Sequence, residues 1–161
     1  MNQRAHLMSL LGDFDTGFLA THTMHGGIRG RPMALAEVED DGDLYFAAGL
    51  DSPKVAEIKT DPRVATFFQG KSSWISLTGR AKVVTDRALI HRLWKDSWKL
   101  WFPEGKDDPN ICLIAFDATD GEYWDNGGAA GVRFVLEAAK AALTGTKMDP
   151  AGEGQHAKVK M

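Results

Sequence analysis

The sequence predicts a mainly β, α+β domain in which six or seven antiparallel strands close into a small barrel with helices outside it. Three observations predict it. Trp74–Val84 alternates, with Ile75, Leu77, Gly79, Ala81 and Val83 on one face and Trp74, Ser76, Thr78, Arg80 and Lys82 on the other, the pattern of a half-buried antiparallel strand. Asp40-Asp41-Gly42-Asp43 is a hairpin signal, because Asp and Gly tolerate the positive φ values of a tight turn. The other strand-like runs are joined mostly by turns, with few strand–helix–strand units.

The elements follow in order. Gln3–Leu11 carries apolar positions at Ala5, Leu7, Met8, Leu10 and Leu11 and stops at Gly12, which reads as a short amphipathic helix. Gly17–Thr23 and Arg29–Val38 read as strands around the turn His25-Gly26-Gly27. Pro32 places an edge or a bulge in the second of them. Leu44–Ala48 is the next strand. Ser52–Lys59 is a helix, with Ser52 at the N-cap and Pro53 at the first helical position, where its missing N–H is not needed. Arg63–Phe68 and Trp74–Val84 are strands, and Asp86–Leu100 reads as the longest helix, ended by Pro103 and Gly105. Ile111–Phe116 and Gly121–Trp124 read as the last two strands, and Val132–Leu143 as a closing helix. With 161 residues the chain suits one domain, expected over 1–143. The stretch 144–161 is polar, Gly-rich and lysine-tipped and is expected to be a flexible tail.

Composition narrows the function. Nineteen basic residues against 22 acidic ones give a net charge of −3, which argues against a general nucleic-acid binder. The lone Cys112 permits no internal disulfide and no cysteine-based zinc site. No apolar run approaches the roughly 20 residues of a membrane span, and the opening MNQRAHLMSLLGD lacks a secretory leader core. The expectation is a cytoplasmic protein.

Two segments carry chemistry. In Leu44–Ile58 a strand ends, a short loop follows and a Ser-Pro-Lys helix start comes next. The free N–H groups of Lys54 and Val55, the Ser52 hydroxyl and the Lys54 ammonium together suit a phosphate. On these residues alone a capped helix with a solvated lysine is the commoner reading, since Ser-Pro helix starts are common. In Ile28-Arg29-Gly30-Arg31-Pro32-Met33 two arginines share one strand face, which suits an anion or a charged edge that resists aggregation. Trp94, Trp98 and Trp101 have helical spacing and predict one aromatic stripe, suited to core or dimer seam before an aromatic ligand pocket. His22 and His25 are spaced like metal ligands but lack a third. Cys112 sits in an apolar run and reads as a core thiol. GxSxG, P-loop and GxGxxG motifs are absent from the sequence, so if the protein is an enzyme its chemistry is expected to belong to a bound cofactor.

The series GFLATHT, RGRPMALAEVEDDGDLYFAA, DSPKVAEIKTDPRVATFF, WISLTGRAKVVTD, WFPEGKDDPNICLIAF and EYWD resembles the general stress protein 26 group of the pyridoxamine 5′-phosphate oxidase-like flavoproteins, from about Leu7 to Asp125. The resemblance implies a split β-barrel that binds FMN at a homodimer interface. It assigns Arg31, Pro32 and Met33 to the family's basic strand motif, with Arg31 on the phosphate and backbone along the flavin. Phe46, Ala47 and Ala48 would run along the ring. Ser52 and Lys54 match the family's phosphate-binding Ser-x-Lys, Gln69 borders the ring, and Trp124, with Trp101, comes from the partner subunit. FAD, deazaflavin or heme are the alternative cofactors in the same barrel.

Departures from the family pattern bear on activity. Ala48 stands where many relatives carry Thr. Met33-Ala34-Leu35-Ala36 lacks the lysine that holds substrate phosphate in true pyridoxamine phosphate oxidases, and Asp125-Asn126-Gly127-Gly128 replaces their Arg-x-His pair. The implied activity is an FMN-dependent oxidoreductase, supplied by NADH or NADPH, that oxidises pyridoxamine phosphate poorly. The alternative is a flavin store or stress sensor without turnover.

Overall fold

The computed structural model describes residues 2–145 and 155–161, without the side chains at 129–134 and 137. Its strands are β1 (Thr16–His22), β2 (Ile28–Val38), β3 (Leu44–Gly49), β4 (Arg63–Gln69), β5 (Ser73–Val84), β6 (Ile111–Asp125) and β7 (His156–Lys160). Its helices are α1 (Gln3–Leu11), α2 (Pro53–Thr60), α3 (Arg87–Leu93) and α4 (Gly128–Thr144). All strand pairings are antiparallel, in the order β3-β2-β1-β4-β5-β6-β7, and β3 also pairs with β6. That last pairing closes β1–β6 into a six-stranded barrel, with β7 added outside the ring.

Strand β6 is the seam. Its first half pairs with β3, from Ile111↔Gly49 to Phe116↔Leu44, and its second half pairs with β7, from Asp120↔Lys160 to Trp124↔His156. The sequence suggests two strands here, because polar Asp117–Asp120 interrupts the apolar pattern. One strand forms because β5 backs its whole length and absorbs the interruption in a bulge at Thr78/Gly79. Gly79 is required there: a Cβ would lie 1.9 Å from the Asp117 carbonyl oxygen.

The alternation read in Trp74–Val84 places Ile75, Leu77 and Ala81 in the barrel interior, with Leu19, Leu44, Phe46, Phe68, Ile114, Phe116 and Tyr123. Leu7 and Leu11 of α1 plug one end and are fully buried, each worth roughly 1.5–3 kcal/mol. A second apolar cluster lies outside the ring over β2, β3 and β6: Ile90, Leu93, Trp98, Phe102, Ile111 and Leu113.

That outer cluster explains why Asp86–Leu100 is not one helix. α3 ends at Leu93, Trp94 and Lys95 turn to extended backbone, and a 3-10 segment follows over Asp96–Leu100. Lys95 Nζ donates to the Leu35 carbonyl across the break (3.0 Å). The bend drives Trp98 inward, where it is 2% exposed, and leaves Trp101 64% exposed. The expected tryptophan stripe is therefore broken: Trp98 meets Trp94 edge-on at 5.7 Å, and Trp101 faces outward.

The expected tail over 144–161 does not run to the chain end. His156–Lys160 is a strand with Ala157 and Val159 buried, because β6 extends past β3 and offers an unpaired edge. Residues 146–154 lie outside the described residues.

Candidate functional site

A cavity of about 540 Å³ opens beside the start of α2, within the range of small-molecule sites. Three layers of the fold build it. The β2 segment Pro32-Met33-Ala34 and the β3 end Ala47-Ala48-Gly49 form one wall. The loop Asp51-Ser52 and Lys54 form its polar end, and Trp101 and Phe102, delivered by the bend after α3, form the opposite wall with Thr16 and Asn110. Met33 and Ala48 are 4% exposed, so the floor is apolar and dense.

The polar end is an open donor set. Ser52 occupies the N-cap position of α2, yet its side chain does not cap the helix. It donates instead to the Gly49 carbonyl (2.6 Å). Val55 N, expected to be free, already donates to the Ser52 carbonyl (3.1 Å), and Pro53 has no N–H, so with no side-chain cap the Lys54 amide is the first-turn donor left for an anion. Lys54 is half-buried, and burial followed by the charge of nearby Arg31 holds its ammonium below its ordinary pKa. Among the described residues it forms no ion pair. A partly desolvated cation beside a second cation is a site whose energy an incoming anion lowers. The rim is set by a reciprocal pair: Asn110 Nδ2 donates to Asp51 Oδ1 (3.0 Å) and Asp51 N donates to Asn110 Oδ1 (3.2 Å).

Arg31 is placed differently. Its Nη1 donates to the Thr21 hydroxyl (2.6 Å) and reaches the Leu19 carbonyl (3.4 Å), and its Nη2 meets Glu57 Oε2 at 3.3 Å. The Thr21 hydroxyl donates in turn to the same Glu57 oxygen (2.5 Å). Burial opposes the Glu57 charge, but the Thr21 and Arg31 hydrogen bonds and the Arg31 charge prevail, so its carboxyl titrates below its ordinary value. Arg31 does not line the cavity, although its charge is felt at Lys54.

Of the residues named from the sequence, the structure thus gathers Pro32, Met33, Ala47, Ala48, Ser52, Lys54 and Trp101 around one cavity. Trp101 lines this cavity within its own chain. Gln69 ends β4 opposite Trp74, and Trp124 lies on β6 between Trp74 and His156; neither lines this cavity. Thr16, Ala34, Gly49, Asp51, Phe102 and Asn110 were not foreseen. Asp51 adjoins Ser52, and Ala34 lies two residues from Pro32 on the same strand face, so local spacing signals both. Asn110 is reached only through the β3–β6 pairing. Cys112, opposite Ala48, is pushed up to about 11 by burial and stays a protonated thiol. Among the described residues no three His, Cys, Asp or Glu side chains are placed to hold a metal.

The model of the pyridoxamine 5′-phosphate oxidase-like proteins matches residues 2–149. The chain belongs to that family. Protein bli-3 of Neurospora crassa is 30% identical over 134 residues, covering 76% of this chain, which spans 60% of the length of that relative. General stress protein 26 of Bacillus subtilis is 26% identical over 128 residues, 74% of this chain and 89% of that protein. The crystal structure of the general stress FMN/FAD binding protein of Xanthomonas citri superposes with a TM-score of 0.61 at 29% identity, covering 71% of this chain and 82% of that one. The closed six-stranded barrel is thus the split barrel of the pyridoxamine 5′-phosphate oxidase-like family, and β7 lies beyond the matched residues. No helix among the described residues is long and apolar enough to cross a membrane.

Proposed function

We propose that this member of the family is a cytoplasmic FMN-binding homodimer that transfers electrons between a reduced nicotinamide and a small substrate. The observation that carries the reading is Lys54: a half-buried ammonium without an ion-pair partner among the described residues, at an uncapped helix start that ends an apolar slot. A phosphate on a flat aromatic ring matches both ends of that slot. The Xanthomonas relative, described as an FMN/FAD binding protein, supports a flavin, and FMN is favoured because the cationic end receives a terminal phosphate.

When bound, FMN supplies the hydride or single-electron chemistry. The chain's own residues bind and shield. Lys54 holds the phosphate with its ammonium and its backbone amide, with the positive field of Arg31 behind them. Met33, Ala47 and Ala48 exclude water from one ring face, and Trp101 closes the slot. The second subunit is supported by the outer face of β1, β4 and β5, where Phe18 and Phe67 pair across strands at 52% and 44% exposure beside Trp74. An apolar patch of this kind marks an interface. Trp124 and Gln69 lie on this face and reach the partner's slot when it is covered. The lysine-free run Met33-Ala34-Leu35-Ala36 leaves a substrate phosphate without a cation, so pyridoxamine phosphate turns over slowly.

The test is the visible spectrum of the purified protein, with mass spectrometry of the released ligand, followed by stopped-flow mixing with NADH and NADPH. The expected result is an oxidised-flavin spectrum, FMN by mass, and reduction within turnover times. A colourless protein that binds no added FMN overturns the reading, and bound FMN that nicotinamides do not reduce assigns the protein to flavin storage.

A further inference from the structure

Strand β7 brings a ring against Trp124 from beyond the residues that the family model matches. The match ends at residue 149, and β7 begins at His156. His156 pairs directly with Trp124 of β6. Their rings lie nearly parallel, at 10°, with centroids 5.2 Å apart. That is an offset stack at the spacing of neighbouring strands. The imidazole is itself held, because its Nε2 donates to Glu122 Oε1 at 2.6 Å, two residues before Trp124 on the same strand face.

The backbone around the indole is pinned as well. Asp125 N donates to the Gln155 carbonyl (2.6 Å), and the Asp125 carboxylate takes a hydrogen bond from His6 Nε2 of α1 (2.8 Å). On its other flank Trp124 pairs with Trp74 of β5. Three rings therefore stand in one row across β5, β6 and β7, with Trp124 in the middle. Without β7 the second half of β6 would be a sheet edge, and one face of the Trp124 indole would be bare.

We infer that β7 belongs to the cofactor site, with His156 a positioning residue that fixes the plane of Trp124 so that the indole meets the flavin of the partner subunit at a set angle. The inference rests on the proposed role of Trp124 at a flavin. Ordering this side chain in advance removes a rotamer cost from complex formation. It also gives the terminal segment a task that a flexible tail could not perform.

The experiment is a titration of the full-length dimer with FMN, read by dissociation constant and by the fluorescence of the bound flavin, which a nearby indole quenches. Wild type is compared with His156→Ala, His156→Phe and His156→Gln, each checked for dimer formation and for Tm. His156→Phe keeps the ring and loses the bond to Glu122, whereas His156→Gln keeps a donor and loses the ring. The expected result is that Ala and Gln raise the dissociation constant about three- to tenfold, the effect of one lost aromatic contact, and brighten the bound flavin. Phe stays within about twofold of wild type with quenching retained. If wild type binds FMN and all variants match it in both readouts, or if Phe is as impaired as Ala, the role of His156 is refuted while the flavin reading stands. If wild type binds no FMN, both fall. Should His156→Ala not fold, the contrast between Phe and Gln decides.

Discussion

Two neighbouring cations have opposite fates. Arg31 is 17% exposed, and its guanidinium is engaged by Thr21, Leu19 and Glu57. Lys54, one turn of α2 before Glu57, is half-buried and has no such partner among the described residues. The first arrangement ties α2 to β1 and β2. The second leaves a charge with no direct ion pair among the described residues, offset only in part by the fields of Asp51 and Glu57, which an added anion would complete. Residue type and proximity do not separate the two, since both are basic and each feels the other. What separates them is whether a carboxylate comes with the charge: the scaffold cation has its counter-ion in the fold, and the binding cation waits for one from a ligand.

This difference breaks if the two residues respond alike to substitution. The largest effect is expected for Arg31→Met, which leaves Glu57 buried and uncompensated and lowers the unfolding free energy by about 3–5 kcal/mol in urea titrations. Adding Glu57→Met to that variant should recover most of the loss, because the orphaned charge is then gone. Lys54→Met should leave stability within about 0.5 kcal/mol of wild type or above it, since a desolvated cation beside Arg31 is removed. Its loss appears in FMN affinity instead, by about 1.5–3 kcal/mol. Thr21→Val, which deletes only the hydroxyl shared by Arg31 and Glu57, should lower stability by about 1–2 kcal/mol without altering FMN affinity.

Proton linkage sharpens the same contrast. The folded Glu57 carboxyl titrates below its ordinary 4.5. Its contribution is therefore present above that value and is lost as pH falls through the lowered folded value. Lys54 is lowered from 10.5, and a phosphate requires its charged form. FMN affinity should fall as pH rises, beginning below 10.5, and the trend should vanish in Lys54→Met. Isothermal titration across pH checks the second trend, and acid unfolding of wild type against the Arg31→Met/Glu57→Met pair checks the first.

The sequence made the barrel legible where one rule governed a segment. Alternation in β5, Asp-Gly at the β2–β3 turn and Ser-Pro at α2 each identify their element without long-range information. It failed where tertiary contacts decide. Helical spacing of Trp94, Trp98 and Trp101 suggests one helix, but burying Trp98 against Ile90 and Leu113 and anchoring Lys95 on Leu35 outweigh local propensity. The polar composition near the C-terminus concealed a strand whose apolar residues, Ala157 and Val159, are too few to register as a pattern. At the site, Ser52 and Lys54 were readable from a local motif. The capture of Arg31 by Glu57 was not, because it depends on α2 packing against β1 and β2.

The most direct measurement is calorimetric titration of FMN and of riboflavin into wild type and Lys54→Met. The two ligands differ only by the phosphate. Wild type should bind FMN far more tightly than riboflavin, and Lys54→Met should close most of that gap while leaving riboflavin affinity unchanged. A preference for FMN that survives intact in Lys54→Met would show the phosphate to be held elsewhere and would contradict the assignment of this cavity.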